Sequence, residues 1–298
     1  MDKNIICVSD KKKLIRKIGV FILSILSICL IYGMNNALAQ EIVYEEIEVD
    51  IPVGEEYNAG KIISNALKKA QEDRNKYYKV IISPQEGKEV TEYYLRKQIQ
   101  IYSNTWLFVD DNNGQTPIVF NKCHEYAMVT AENRDYETLG YDGFKNIKIE
   151  GGIWNGKTAY ENGEYFQNAG FNHFRFAHGK NLELKNLKII NNNNAHHVQV
   201  AGIDGFYVSG CTFDGYNRMS KSYKEAIQID ILSSETVFGS ADKYDDTPMI
   251  NVDIHDNMFR NVDRGVGTHS ATVGVYHKNI KIYRNTFENI DDYAIVMM

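Results

Sequence analysis

Two short segments alternate apolar residues with residues that can do chemistry: Asn194-Ala-His-His-Val-Gln-Val-Ala-Gly202 and Glu225-Ala-Ile-Gln-Ile-Asp-Ile231. A β-strand sends successive side chains to opposite faces. With Val198, Val200, Ile227, Ile229 and Ile231 on the inner face, His197, Gln199, Gln228 and Asp230 fall on the outer one. A third segment, Arg264-Gly-Val-Gly-Thr-His-Ser270, turns Val266 inward and leaves His269 at the strand end and Arg264 near a corner. On three neighbouring strands these residues form a ladder of His197 and Gln199, then Gln228 and Asp230, then His269. A histidine and a carboxylate within reach of each other can exchange protons near neutral pH. Glu225 or Asp230 is then the acid or base, and His197 or His269 donates the proton or orients the substrate. Two carboxylates at a suitable separation would instead hydrolyse a glycosidic bond. Gln199, Gln228, Arg264 and Tyr223 are expected to bind substrate, and Tyr216, Tyr223 and Tyr276 offer rings to a sugar. Ala201, Gly202, Gly265 and Gly267 are small enough to let a ligand approach the backbone. The competing reading is a plain solvated strand face, but such faces usually carry Lys, Thr and Ser.

Other chemistry is weakly signalled. His255 and His277 sit at turn-like positions and read as ordinary surface histidines, and His173 and His178, around the strand-like Phe174-Arg-Phe176, are the weaker candidates for the border of the same groove. No His-x-x-x-His spacing marks a metal site, and calcium enters only if the reaction is a lyase reaction. No glycine-rich loop opens a helix to cradle a phosphate, so no nucleotide cofactor is indicated. A formal net charge of -6 speaks against nucleic acid, which selects a basic face.

These residues need a scaffold of strands, and the composition supplies one. The chain has 298 residues, 43% hydrophobic and 24% charged, with 22 Gly, 4 Pro, 20 Tyr and 29 Asn. Asn tolerates left-handed turn conformations, so its excess predicts many tight corners. One amphipathic helix is expected over 58–72, with Ile62, Ile63, Ala66, Leu67 and Ala70 on one stripe. Strand-like runs follow at 78–87, 95–104 and 105–109.

From residue 146 onward a template recurs: an apolar pair at i and i+2, a turn, and a large apolar residue at i+7. It matches Ile147/Ile149/Trp154, Leu182/Leu184/Ile189, Phe206/Val208/Phe213, Val252/Ile254/Phe259 and Ile280/Ile282/Phe287. Successive starts are 35, 24, 46 and 28 residues apart. The spacing of 46 reads as two turns, with Ala226–Ile231 in the gap. Such units are too short for propeller blades and lack the leucines of a leucine-rich repeat. They fit an all-β parallel β-helix, in which like residues stack on like. Asn257 and Asn285, just before the apolar i+7 residue, are expected at corners.

The run Ile63-Ser-Asn-Ala-Leu-Lys-Lys-Ala70, a strand ending in Pro84-x-x-Gly87, and Ile99-Gln-Ile-Tyr-Ser-Asn-Thr-Trp-Leu107 resemble the N-terminal opening of the pectate lyase-like superfamily, polygalacturonases included. With the repeats, the resemblance covers residues 45–298. It implies a right-handed single-stranded parallel β-helix whose first coil is capped by the helix. It implies less about the reaction, because the fold hosts lyases, hydrolases, epimerases, esterases and adhesins. The polygalacturonase motifs do not transfer: Asn-Thr-Asp and Arg-Ile-Lys are absent, Asp245-Asp246 falls in a loop over 232–249, and Gly267-Thr-His269 is only loosely Gly-His-Gly. A calcium-dependent lyase would want several Asp ligands and a basic residue, for which Arg264 is the one candidate.

Residues 1–39 carry six basic and two acidic side chains, an apolar run over 18–31 and Ala37-Leu-Ala39, the pattern of a secretory signal peptide cleaved after Ala39. An uncleaved anchor is the alternative. The remaining chain then carries a net charge of -10, and its two cysteines, Cys123 and Cys211, are expected to be free. The expected organisation is a signal peptide over 1–39, a cap and first coils over 40–110, and β-helix coils over 111–298. The chain stops within a strand-like run, which reads as part of a longer stack, with a partner chain covering the end as the alternative. The function expected is a secreted or cell-surface protein that hydrolyses or cleaves an extracellular polysaccharide in an outer groove, with no membrane span after cleavage. The alternative is a non-catalytic adhesion protein that binds glycan.

Overall fold

The computed structural model describes residues 42–54, 56–123, 126–131, 138–156, 170–239 and 243–297. The expected signal peptide lies outside them. The first regular element after the strand Tyr44–Glu48 is a helix, Ala59–Leu67, extended by a 3-10 turn over Lys68–Gln71. Asn58 caps it by accepting from the Lys61 N–H at 3.2 Å. The helix buries Ile63 and Leu67, with Ala70 of the following turn, and packs on the strand Ile99–Ile101. Its Ser64 Oγ accepts from the Gln100 N–H at 2.9 Å, closing an edge that would otherwise be open.

Every strand-to-strand pairing is parallel, and the strands stack into three ladders. One ladder runs through Ile99–Ile101, Val129–Ala131, the first half of Phe174–Lys185, the first half of Val198–Ser209, Glu225–Asp230, Arg264–Gly267 and Ile295–Val296. The second holds Tyr44–Glu48, Tyr77–Ile82, Thr105–Val109, Phe144–Glu150, the second halves of the two long strands, Ile250–His255 and Lys278–Tyr283. The third holds Thr91–Leu95, Ile118–Lys122, Ile153–Asn155, Lys188–Asn193, Thr212–Asn217, Met258–Val262 and Thr286–Ile290. This is a parallel β-helix, nearly all β.

The repeat template is its register. Ile147, Leu182, Phe206, Val252 and Ile280 are consecutive ladder partners, as are Trp154, Ile189, Phe213, Phe259 and Phe287. Rings therefore stack at the inter-strand spacing: Phe213 on Phe259 at 4.7 Å, Phe259 on Phe287 at 4.9 Å, and Phe120 on Trp154 at 4.5 Å.

One expectation fails here. Phe206 pairs directly with Val252, so the 46-residue spacing is one coil. Glu225–Asp230 belongs to the first ladder, and the excess length is a loop between that strand and Ile250–His255.

The corners explain the asparagines. Twelve of the sixteen non-glycine residues with positive φ among those described are Asn. Their side chains bond from coil to coil: Asn181 to Asn146 at 2.9 Å and Asn146 to Asn104 at 2.8 Å. Asn191 donates to Asn155, and Asn155 to Asn121, both at 2.8 Å. Asn257 lies at the corner between Ile250–His255 and Met258–Val262, as expected, but with its side chain turned inward. It is buried, accepts from the Cys211 N–H at 2.9 Å and donates to Val208 O at 3.0 Å. Cys123 and Cys211 are free thiols, and burial pushes the Cys211 thiol up to about 12.

Candidate functional site

The first ladder places Glu225 beside Arg264, and Gln199 beside Gln228, on adjacent strands. Glu225, Asp230, Arg264 and His269 come together; His197 does not join them. The Glu225 side chain is fully enclosed, and its Oε1 accepts from Arg264 Nη1 at 2.9 Å. Its Oε2 lies 3.6 Å from His269 Nδ1 and 3.7 Å from His196 Nδ1. Burial alone would raise the Glu225 pKa, but His269, His196 and Arg264 together hold it down to about 2. The same carboxylate raises the pKa of His269 against the opposing effect of burial, with Asp230 assisting.

Asp230 is 1% exposed at its side chain, and its Oδ1 is saturated. It accepts from Thr268 Oγ1 and Ser270 Oγ at 2.9 Å, and from the His269 and Ser270 N–H groups at 3.1 and 3.2 Å. Asp230 thereby pins the turn that carries His269. Its Oδ2 accepts from Gln228 Nε2 and lies 4.0 Å from His269 Nε2. His269 is thus clamped between two carboxylates, with 34% of its side chain exposed.

Arg264 extends outward from Glu225 to a second acid, donating from Nε to Asp292 Oδ2 at 2.6 Å. Tyr223, 39% exposed, sits next to it, with its ring centre 5.5 Å from the Arg264 guanidinium carbon and 4.5 Å from that of Arg218.

His197 faces the core, opposite to expectation. Its ring stacks on His173 at 5.4 Å and meets Phe213 edge-on at 6.0 Å. Burial drives its pKa down to about 3, so the ring is neutral. The strand begins at Val198, and strict alternation does not extend into the bend before it. That bend turns His196 toward Glu225, where its Nδ1 meets the Glu225 backbone oxygen at 2.8 Å.

Gln199 and Gln228 lie on the outer face as expected, yet both are buried. The loop between Asp230 and Ile250 covers Gln199. Gln199 donates to Val237 O at 2.9 Å, Arg175 donates to Gly239 O and packs on the Phe238 ring, and Leu232 and Phe238 cover Ala201. Asp245 anchors the loop by accepting from Thr247 and from the Gly140 N–H. The small residues make room for protein, not for ligand. A Cβ on Gly265 would stand 2.4 Å from the Phe287 ring, and one on Gly267 2.6 Å from Val296 and 2.9 Å from Glu225 Cγ.

The remaining candidates do not reach the exposed surface of the site. The Tyr216 hydroxyl is buried without a hydrogen bond, and Tyr276 is exposed. His173 is in the core, His178 meets backbone oxygens of Gly140 and Lys243, His255 pairs with Asp256, and His277 accepts from the Met249 N–H. Sequence reasoning missed His196, Arg218 and Asp292. The spacing of 28 residues between Arg264 and Asp292, equal to that between the last two repeats, could have pointed to Asp292.

Among the described residues, no group of three or more His, Cys, Asp or Glu is arranged to hold a metal ion, and no helix is long and apolar enough to cross a membrane. No protein-family model matches the chain, and no curated protein matches it by sequence. Two solved structures of PfbA, a surface adhesin of Streptococcus pneumoniae, are similar in fold. Each is 19% identical and aligns with 85% of this chain, at TM-scores of 0.65 and 0.66. This chain spans 61% and 64% of their lengths. A structure from Parabacteroides merdae described as a candidate glycosyl hydrolase aligns over 84% of this chain and 96% of its own, at 10% identity and a TM-score of 0.37.

Proposed function

We propose that this protein is an extracellular or surface-displayed β-helix that binds glycan, with its ligand on the outer surface formed by Tyr223, Arg218, Arg264, Asp292 and His269. The observation that carries binding over hydrolysis is the enclosure of both carboxylates. Glu225 and Asp230 have side-chain exposures of 0% and 1%. Glycoside hydrolysis by a carboxylate pair needs an acid and a base or nucleophile presented to the scissile bond. Here Asp230 Oδ1 is saturated by four donors and Glu225 is held as an anion against Arg264. What the surface does present is an exposed aromatic ring among polar hydrogen-bonding groups, the composition of a sugar-binding surface. Export is supported by the basic, apolar and Ala-x-Ala pattern over 1–39, and the adhesin likeness agrees with surface display.

A glycan array followed by calorimetry on the bound member is the test. Tyr223→Ala is expected to weaken binding about 10-fold, the size of one aromatic contact, with the melting temperature unchanged. Release of product from a bound polymer, lost in His269→Ala, would replace this reading with the hydrolase or lyase reading.

A further inference from the structure

Resting on the glycan reading, we infer that the surface at Tyr223 selects an uncharged, hydroxyl-rich sugar ring and disfavours a uronate. Both guanidinium groups beside the Tyr223 ring are already neutralised, each by two carboxylates. Arg218 meets Asp263 Oδ1 at 3.8 Å and Asp291 Oδ2 at 3.3 Å. Arg264 meets Glu225 Oε1 at 2.9 Å and Asp292 Oδ2 at 2.6 Å. A carboxylated sugar is normally gripped by an arginine fork with both arms free. Here it would have to displace an internal carboxylate from its partner.

The local charge points the same way. Glu225, Asp230, Asp263, Asp291 and Asp292 stand against Arg218, Lys221, Lys224 and Arg264, and the sum is negative while His269 is neutral. A further anion therefore meets like charge, and mismatched charges of this kind are a strong discriminator at binding surfaces. The available hydrogen-bonding groups are also of the complementary type. Asp291 and Asp292 are 57% and 20% exposed at their side chains. Each uses Oδ2 for its arginine, and no hydrogen bond among the described residues reaches Oδ1. Both are acceptors, and an ionised carboxylate can only accept. Sugar hydroxyls supply the missing donors, and a uronate carboxylate cannot.

The test compares hexasaccharides of β-1,4-glucan, galactan and mannan with hexagalacturonate and its methyl ester, which keeps the ring and removes the charge. Calorimetry at 0.15 M salt is expected to show a neutral member bound at least ~10-fold more tightly than hexagalacturonate, with the methyl ester tighter than the free acid. The gap narrows at 1 M salt, where the Debye length falls to about 3 Å. Asp291→Asn, at the most exposed of the acids, narrows it as well, and Asp292→Asn repeats the test one position inward. Tighter binding of hexagalacturonate than of its ester and of every neutral member overturns this inference and leaves the glycan reading in place. Binding of none of the probes overturns both.

Discussion

His269 and Arg264 compensate the same buried charge from opposite sides, so removing either should expose how much Glu225 depends on it. Truncating one partner of a buried pair leaves the other charge uncompensated. Arg264→Gln is therefore expected to destabilise the fold by ~3 kcal/mol, at the low end for a buried pair because Arg264 is 22% exposed. Urea unfolding at neutral pH measures this. The protonated form of His269 is favoured in the folded state, because its pKa is raised there. Its contribution is fully present below the unfolded histidine value of about 6.5 and is lost as pH rises through the folded value. The wild type should lose stability on that alkaline side, and His269→Gln should not. Equal pH profiles for the two proteins would dismiss the clamp. The outer-face placement of Gln199, Gln228 and Asp230 was legible in the sequence, because those residues lie within strands where alternation holds. His197 was not legible. It precedes the strand, and the bend exchanges the roles of the two adjacent histidines.

At the scale of elements, the asparagine corners turn a compositional oddity into a structural device. Asn146 has a φ of 55° and donates to Asn104 Oδ1 at 2.8 Å while accepting from Asn181 at 2.9 Å. Replacement by Ala loses these bonds and a third to the Tyr77 hydroxyl at 3.2 Å, and forces a Cβ-bearing residue without a local hydrogen bond into the left-handed region, which costs roughly 1–2 kcal/mol. Replacement by Gly keeps the backbone at ease and loses the bonds alone. Asn146→Ala should therefore be clearly less stable than Asn146→Gly, by thermal melting. The opposite order would mean that the left-handed corner puts no strain on a residue with a Cβ. The corners and the coil register were readable from the sequence because each coil repeats the same apolar spacing. The loop between Asp230 and Ile250 repeats nothing. Its alternating neighbour, Ala226–Ile231, imitated a further copy of the template, so a one-coil insertion was read as two coils. The same loop fills the face where an open groove was expected, through Phe238 and Val237, two residues with no periodic signal.

Over the whole molecule, stability passes from coil to coil through nearest neighbours, so a perturbation confined to one coil should be felt most strongly beside it. Acid supplies such a perturbation. His173, His196 and His197 are all buried, and burial lowers the pKa of each, to about 4 for His196 and about 3 for His197. The unfolded chain protonates these rings near pH 6.5 and the folded chain resists until far lower. Their contribution is therefore intact above about pH 6.5 and declines as pH falls below it, down to about 4 for His196 and about 3 for His197, at ~1.4 kcal/mol per pH unit for each of these two rings. All three belong to the coils that begin at Phe174 and Val198, beneath the candidate site. Hydrogen exchange at pH 7 and pH 4.5 should then show protection lost first around 171–200 and in the strands stacked against them, with Thr105–Val109 holding longer. His197→Leu removes one titrating ring from the stack between His173 and Phe213. It should flatten the acid slope of urea unfolding by about one ring's share, even if the packing change lowers stability at pH 7. An unchanged slope would show that His197 remains neutral for reasons other than its burial, or that acid unfolding starts in another part of the stack.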